Sequence, residues 1–240
     1  MRLMITRPSQ DAAPLAERLQ DLGHEVLLEP LLEICFREGV GVPLDGATAI
    51  LATSANGVRA VAGASGRRDL PVFAVGDATA RAARAAGFDR VVSAAGDVDS
   101  LAATVADSLD PAAGHLVHAA GTRVAGDLHG LLSAHGFQVE RVVLYEARTA
   151  QKLSQSGAEA IKNGEIEGVL LFSPRTARTF VRLINDAGIN TACRGIIAYC
   201  LSPAVAQAVS QRPDDLAWRC VCQAAHPDEG SLLELLEAPI

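Results

Sequence analysis

The sequence predicts an α/β fold with parallel sheets, arranged as two Rossmann/flavodoxin-like domains of five strands each. Three observations predict it. Short apolar runs alternate with helical patterns about ten times along the 240 residues. The runs lack strict polar alternation, which suits parallel strands buried on both faces. Apolar residues make up 49% and charged residues 20%, a balance that fills a core and argues against disorder. One ten-stranded sheet is large, so two five-stranded sheets are the more usual arrangement. At roughly 100–200 residues per domain, the length allows that division.

The elements follow in order. Leu3-Met4-Ile5 is the first strand, and Leu15, Leu19 and Leu22 make the stripe of the first helix. Gly23 ends that helix at a C′ position. Residues 25–28 are the second strand. Gly39, Gly41, Pro43 and Gly46 then break the pattern. Residues 49–52 lead through Thr53-Ser54-Ala55-Asn56-Gly57 into a helix over 58–62. Residues 72–75 lead through Gly76-Asp77 into a helix over 79–86. Strands at 91–92 and 116–117 precede helices at 101–109 and 126–134. Residues 139–144 are the next strand, followed by the polar stretch 149–157. Residues 169–172, 196–200 and 219–222 are the remaining strands, with helices at 177–187 and 204–209 between them.

Two weakly similar halves recur in one order. Thr53–Arg59 aligns with Phe172–Arg178, and Gly76–Ala82 with Ser202–Ala208, so a duplicated half is expected. Grouping the first βαβ unit with the C-terminal segment gives five strands to each domain. The expected domains are 1–34 with 158–240, and 47–143. Residues 35–46 and 144–157 are then linkers running side by side.

Charge and composition exclude several classes. A net charge of −7 repels nucleic acid and anionic membrane, so an anion site must be a local patch. Neither is expected as a partner. No apolar run approaches the roughly 20 residues of a membrane span, and the apolar N-terminal stretch is too short for a signal peptide. Five cysteines without a CxxC pair suit reduced thiols, hence a cytoplasmic protein. A monomer is the expected state.

Ligands of open α/β sheets bind outside the carboxyl ends of the strands. Here those ends carry small hydroxyl and glycine turns: Thr6-Arg7-Pro8-Ser9, Thr53–Gly57, Gly76-Asp77-Ala78-Thr79, Ala120-Gly121-Thr122-Arg123, Ser173-Pro174-Arg175-Thr176 and Ser202-Pro203. One such turn is an ordinary N-cap. Six together make a cleft for an anion with several carboxylates or phosphates. Arg7, Arg59, Arg81, Arg123, Arg175 and Arg178 add charge. No GxGxxG or P-loop motif occurs, and no GxSxG elbow surrounds Ser54. His115 and His118 face opposite sides of a strand. Cys220 and Cys222 share a strand face and read as core. No metal and no cofactor is therefore expected. Tyr145, where the second domain meets its linker, is either a half-buried strand residue or a phenol donating into the cleft.

The ordered set of motifs resembles uroporphyrinogen-III synthase across nearly the whole chain. It comprises Ile5-Thr6-Arg7-Pro8, Gly23-His24-Glu25-Val26, Pro30–Ile34, Thr53–Val58, Ala74–Ala80, Leu144-Tyr145, Phe172–Ala177 and Leu201-Ser202-Pro203. One turn departs from the family: Ser202-Pro203-Ala204-Val205 stands where a Gly-Pro-Thr-Thr-like run is common. The resemblance implies two α/β domains on a two-stranded linker, and a cofactor-free lyase of tetrapyrrole and heme biosynthesis. It implies closure of hydroxymethylbilane to uroporphyrinogen III with ring D inverted. Tyr145 is then the donor to the departing hydroxyl. Thr6, Arg7, Ser54, Gly76, Thr79, Ser173 and Ser202 are the candidates for holding acetate and propionate groups. The competing readings are a non-catalytic two-domain protein that binds a small anion, and a nucleotide-using Rossmann-like enzyme.

Overall fold

The structure is a computed structural model that describes residues 1–124, 126–210 and 216–237. In chain order it has β1 (Arg2–Ile5), α1 (Ser9–Asp21), β2 (Glu25–Leu28), β3 (Leu32–Phe36), β4 (Ala47–Ala52), α2 (Ala55–Ala64), β5 (Val72–Ala74) and α3 (Asp77–Ala85). These are followed by β6 (Val91–Ser93), α4 (Val98–Ser108), β7 (His115–Gly121), α5 (Leu128–Ala134), β8 (Gln138–Thr149) and α6 (Gln155–Lys162). The last are β9 (Gly168–Leu171), α7 (Pro174–Asp186), β10 (Ile197–Cys200), α8 (Pro203–Val209), β11 (Cys220–Gln223) and α9 (Glu229–Glu237). The chain forms two compact units, Met1–Glu33 with Arg148–Ile240, and Ile34–Ala147.

The first unit holds a five-stranded sheet in the order β11-β10-β9-β1-β2, with every pair parallel. Alternation along β1 explains why Leu3, Met4 and Ile5 are all apolar. Met4 joins the cluster of Phe180, Ile184 and Ala198 on one face, and Leu3 and Ile5 join Leu15, Leu19 and Tyr199 on the other. Helix α7 buries Ala177, Phe180, Val181 and Ile184, the 3.6-residue stripe of a helix against a sheet. Phe180 stacks on Trp218 with ring centres 5.8 Å apart. At Gly168, a Cβ would lie 2.6 Å from the Tyr199 ring and 2.8 Å from Leu3, so no side chain fits there. Helix α6 begins within residues expected to be linker. Ser154 caps it, accepting the Gly157 N–H, and buried Glu29 accepts from both the Ser154 N–H and hydroxyl, at 2.8 and 2.5 Å. A polar stretch thereby opens a helix.

The second unit holds six strands, not the five expected, in the order β3-β8-β7-β4-β5-β6. Strands β8 to β6 pair in parallel, and β3 joins at the edge and makes the sheet mixed. The sixth strand arises because β8 is twelve residues long, and its later part offers β3 an edge; the Arg37 N–H, just past β3, donates to the Leu144 carbonyl at 2.8 Å. Leu32, Ile34 and Phe36 alternate with Glu33 and Cys35, the pattern of an edge strand that is only part-covered. The division between the units falls inside β3 and inside β8. Residues 144–149, expected in a linker, are thus the end of β8.

Candidate active site

In the second unit, β4 ends at Ala52 and the chain turns at Ser54 into α2. Ser54 has an extended backbone and its hydroxyl accepts the Gly57 N–H at 3.2 Å, an N-cap bond. The Tyr145 hydroxyl lies 2.7 Å from the same Ser54 oxygen. Two glycines make this meeting possible. A Cβ on Gly57 would lie 2.4 Å from the Ala119 carbonyl oxygen, so only glycine lets the first turn of α2 rest on β7. A Cβ on Gly121 would lie 2.8 Å from two carbons of the Tyr145 ring, the space which that ring needs. Gly121 pairs with Tyr145 just past a register shift in β7, and the Thr122 N–H donates to the Tyr145 carbonyl at 3.0 Å. Such irregularities re-aim side chains at strand ends.

Two hydroxyls that share one hydrogen bond have a second proton to give elsewhere. Because Ser54 already accepts the Gly57 N–H, its own proton can point at the phenol oxygen. The phenol proton is then available to a ligand.

A second polar group lies close by in the same unit. His118 of β7 is 3% exposed, and its Nε2 is 3.3 Å from the Thr53 hydroxyl. Burial, and then the nearby Arg141 charge, push its pKa down to about 4, so it is neutral at pH 7. Arg141 donates to the carbonyls of Gly121 and Thr122, at 2.9 and 3.3 Å, and fixes the turn beside Tyr145. His115 instead contacts the Pro43 carbonyl at 3.0 Å. Among the described residues, no group of three or more His, Cys, Asp or Glu could hold a metal ion.

A family model for uroporphyrinogen-III synthase HemD matches residues 13–234. The chain belongs to the uroporphyrinogen-III synthase family. Among curated proteins none matches significantly. Among solved structures, uroporphyrinogen-III synthetase from Helicobacter pylori 26695 is similar at 17% identity and a TM-score of 0.65, covering 99% of both chains. A mutant uroporphyrinogen III synthase from the extremely thermophilic bacterium Thermus thermophilus is similar at 18% identity and a TM-score of 0.51, covering 99% of this chain and 97% of the other. These likenesses show the shared fold.

The other candidate residues of this uroporphyrinogen-III synthase family member are placed as follows. Gly76 holds the N-cap position of α3 after β5, with nothing within 4 Å of where a Cβ would be. Thr79 is buried in the first turn of α3. Since β5 pairs with β4, the Gly76 and Ser54 turns open from adjacent strands. In the first unit, Thr6, Ser173 and Ser202 follow β1, β9 and β10, which are also adjacent. Thr6 is fully buried, and its hydroxyl donates to the Leu170 carbonyl at 2.7 Å, so it stitches two strands. Ser173 caps α7, accepting the Thr176 N–H at 3.1 Å, and meets the Thr176 hydroxyl at 2.8 Å. Ser202 precedes Pro203 and makes no side-chain cap bond. Arg7 lies 4.0 Å from the Phe172 ring centre and pairs with Glu229 at 2.7 Å. Glu229 also pairs with Arg18 at 2.7 Å.

The structure therefore brings Ser54 and Tyr145 into one hydrogen bond and gives each sheet a row of helix N-termini. Sequence reasoning named Thr53 only within its turn and His118 only as a strand residue, and it missed Arg141 and the steric roles of Gly57 and Gly121. The only signal for Gly57 was its place three residues after the capping serine.

Proposed function

We infer that the chain converts hydroxymethylbilane to uroporphyrinogen III, closing the linear tetrapyrrole with ring D inverted and water lost. It is a cyclising lyase of tetrapyrrole biosynthesis. The single observation that carries this reading is the family match over residues 13–234. A non-catalytic anion-binding role is not favoured.

Tyr145 is the donor in this proposal. Its phenol gives a proton to the substrate hydroxymethyl oxygen as the C–O bond breaks, and the pyrrole nitrogen supplies the electrons. The substituted carbon of ring D attacks the resulting azafulvenium carbon and forms a spiro centre. The old bond from ring D to the ring C methylene then breaks and leaves a second azafulvenium on ring C, ring D turns over, and its free α-carbon attacks that methylene and closes the macrocycle. That carbon loses a proton, which restores the phenol. Support for Tyr145 comes from its 2.7 Å bond to Ser54, which fixes the hydroxyl, and from the Gly121 slot that holds the ring.

The C-terminal sheet edges supply the anion contacts. Helix N-termini present unpaired N–H groups and partial positive charge, suited to acetate and propionate groups. Gly76, Ser54 and Thr79 serve in one unit, and Ser202, Ser173, Thr6 and Arg7 in the other. Thr6, Ser54 and Ser173 act through backbone N–H groups, since their hydroxyls already have partners. Residues 35–46 and 144–157 are proposed as the linkers. Holding the reacting ends together is worth up to about 7–11 kcal/mol in the best intramolecular cases.

The protein is proposed to act as a monomer in a reducing cytoplasm. The five free cysteines and the net charge of −7 support that setting and a small-molecule partner. Among the described residues, no helix is long and apolar enough to cross a membrane. Incubating purified protein with hydroxymethylbilane and resolving product isomers tests the activity. Type III product is expected; type I alone, the spontaneous product, would refute it.

A further inference from the structure

Cys220 and Cys222 stand on β11, the edge strand of the five-stranded sheet. Residues two apart on a strand share a face, and the two sulfurs are 3.5 Å apart. Both side chains are half-buried, packed against the cluster of Tyr199, Ala224, Leu232 and Leu233. The sulfurs are thus in contact and neither is sealed in the core.

The spacing decides between two chemistries. A disulfide needs sulfurs about 2.05 Å apart and Cβ atoms at about 3.8 Å, which draws two extended positions together. Here the register of Ile197 with Cys220 and Tyr199 with Cys222 holds β11 extended. Closing the bond would bend the strand away from β10. A single bridging atom asks less. Two metal–sulfur bonds of about 2.3 Å at a tetrahedral angle span about 3.8 Å, within a few tenths of the observed gap. The ladder to β10 can stay intact.

We propose that Cys220 and Cys222 form a two-thiolate site for a soft divalent cation of the zinc and cadmium class. Binding forms two metal–sulfur bonds and releases one proton from each thiol, leaving a neutral dithiolate complex. Thiolates select such ions over hard ones. With no third protein ligand from His, Cys, Asp or Glu among the described residues, water completes the coordination, and exchange is easy. The bridge spans the first and third residues of the four-residue edge strand and fixes their side chains on one face of β11.

Cadmium is the probe, because thiolate-to-metal charge transfer gives it an ultraviolet band. The full reduced chain is titrated with Cd²⁺ while absorbance and melting temperature are followed. One Cd²⁺ per chain is expected, with a melting temperature that rises with concentration. Cys220→Ser and Cys222→Ser should each weaken binding at least tenfold, and Cys35→Ser should leave it unchanged. Metal-free melts establish that the serine variants are folded. The wild-type titration tests the site independently of any variant: absence of the thiolate band overturns the proposal. Equal loss in Cys35→Ser, or unaltered binding in Cys222→Ser, overturns it as well.

Discussion

The Tyr145 hydroxyl is hydrogen-bonded to Ser54 at 2.7 Å across 91 residues of sequence. Ser54 therefore has two tasks at once. It caps α2, and it holds the one side chain in this unit proposed to give a proton.

Removing that serine should separate the tasks. Ser54→Ala loses the cap, worth about 0.5–2 kcal/mol of stability, and leaves the phenol unanchored. Chemical denaturation should show the first loss and a reduced kcat the second. Unchanged stability and unchanged kcat would show that neither bond contributes.

Gly121→Ala places a Cβ against the Tyr145 ring. The ring must shift, so turnover should fall well beyond the stability cost, which for overpacking is about 1–3 kcal/mol. The double variant Gly121→Ala with Tyr145→Phe should be scarcely slower than Tyr145→Phe alone, because both act on the same phenol. Additive losses in kcat would place the effect of Gly121 elsewhere.

These contacts mark the limit of what is legible in the sequence. Parallel strands such as β1 and β9 are readable because burial on both faces makes Leu3–Ile5 and Val169–Leu171 continuous apolar runs. The edge strand β3 is not, since two of its five residues are exposed and none is fully buried, and glycines follow it closely. Helix α6 is hidden because its start is polar, and the Ser154 that caps it is held by Glu29, 125 residues earlier. In the candidate site, Ser54 and Tyr145 are individually visible as a cap and a rare tyrosine. Their meeting depends on strand order and on what Gly57 and Gly121 lack, and neither is encoded locally. Thr6 illustrates the opposite error: a hydroxyl in a binding-type turn that is consumed by the Leu170 carbonyl.

Glu29 should matter for stability rather than chemistry. It is 3% exposed and accepts two bonds from Ser154 at the start of α6. Hydrogen bonds to charged groups are worth about 1.5–3 kcal/mol. Glu29→Ala should cost at least that much in urea unfolding, while product isomer remains type III. A loss under about 0.5 kcal/mol would show that α6 is held by other contacts.

Acid sensitivity should trace to His118. Its pKa falls from 6.5 when unfolded to about 4 when folded, so the unfolded chain takes up the proton first. The associated stability is complete above pH 6.5 and is lost as pH falls toward 4. At about 1.36 kcal/mol per pH unit, the loss approaches roughly 3 kcal/mol. Unfolding free energies measured across this window should flatten in His118→Gln. An identical slope in that variant would assign the acid sensitivity to other groups.

The turnover of Tyr145→Phe is the most direct test of the proposed chemistry. Phenylalanine keeps the ring in its slot and removes only the proton donor. Purified wild-type and variant proteins are compared on hydroxymethylbilane, with rate and isomer read together. General acid assistance is commonly worth about 10²–10⁴-fold, but this leaving group departs with help from its own pyrrole, so a loss of roughly 10–100-fold is expected. It should appear equally in kcat and kcat/KM, with type III still the enzymatic product and the melting temperature nearly unchanged. Full kcat with type III product would contradict the account and leave Tyr145 a structural strand residue.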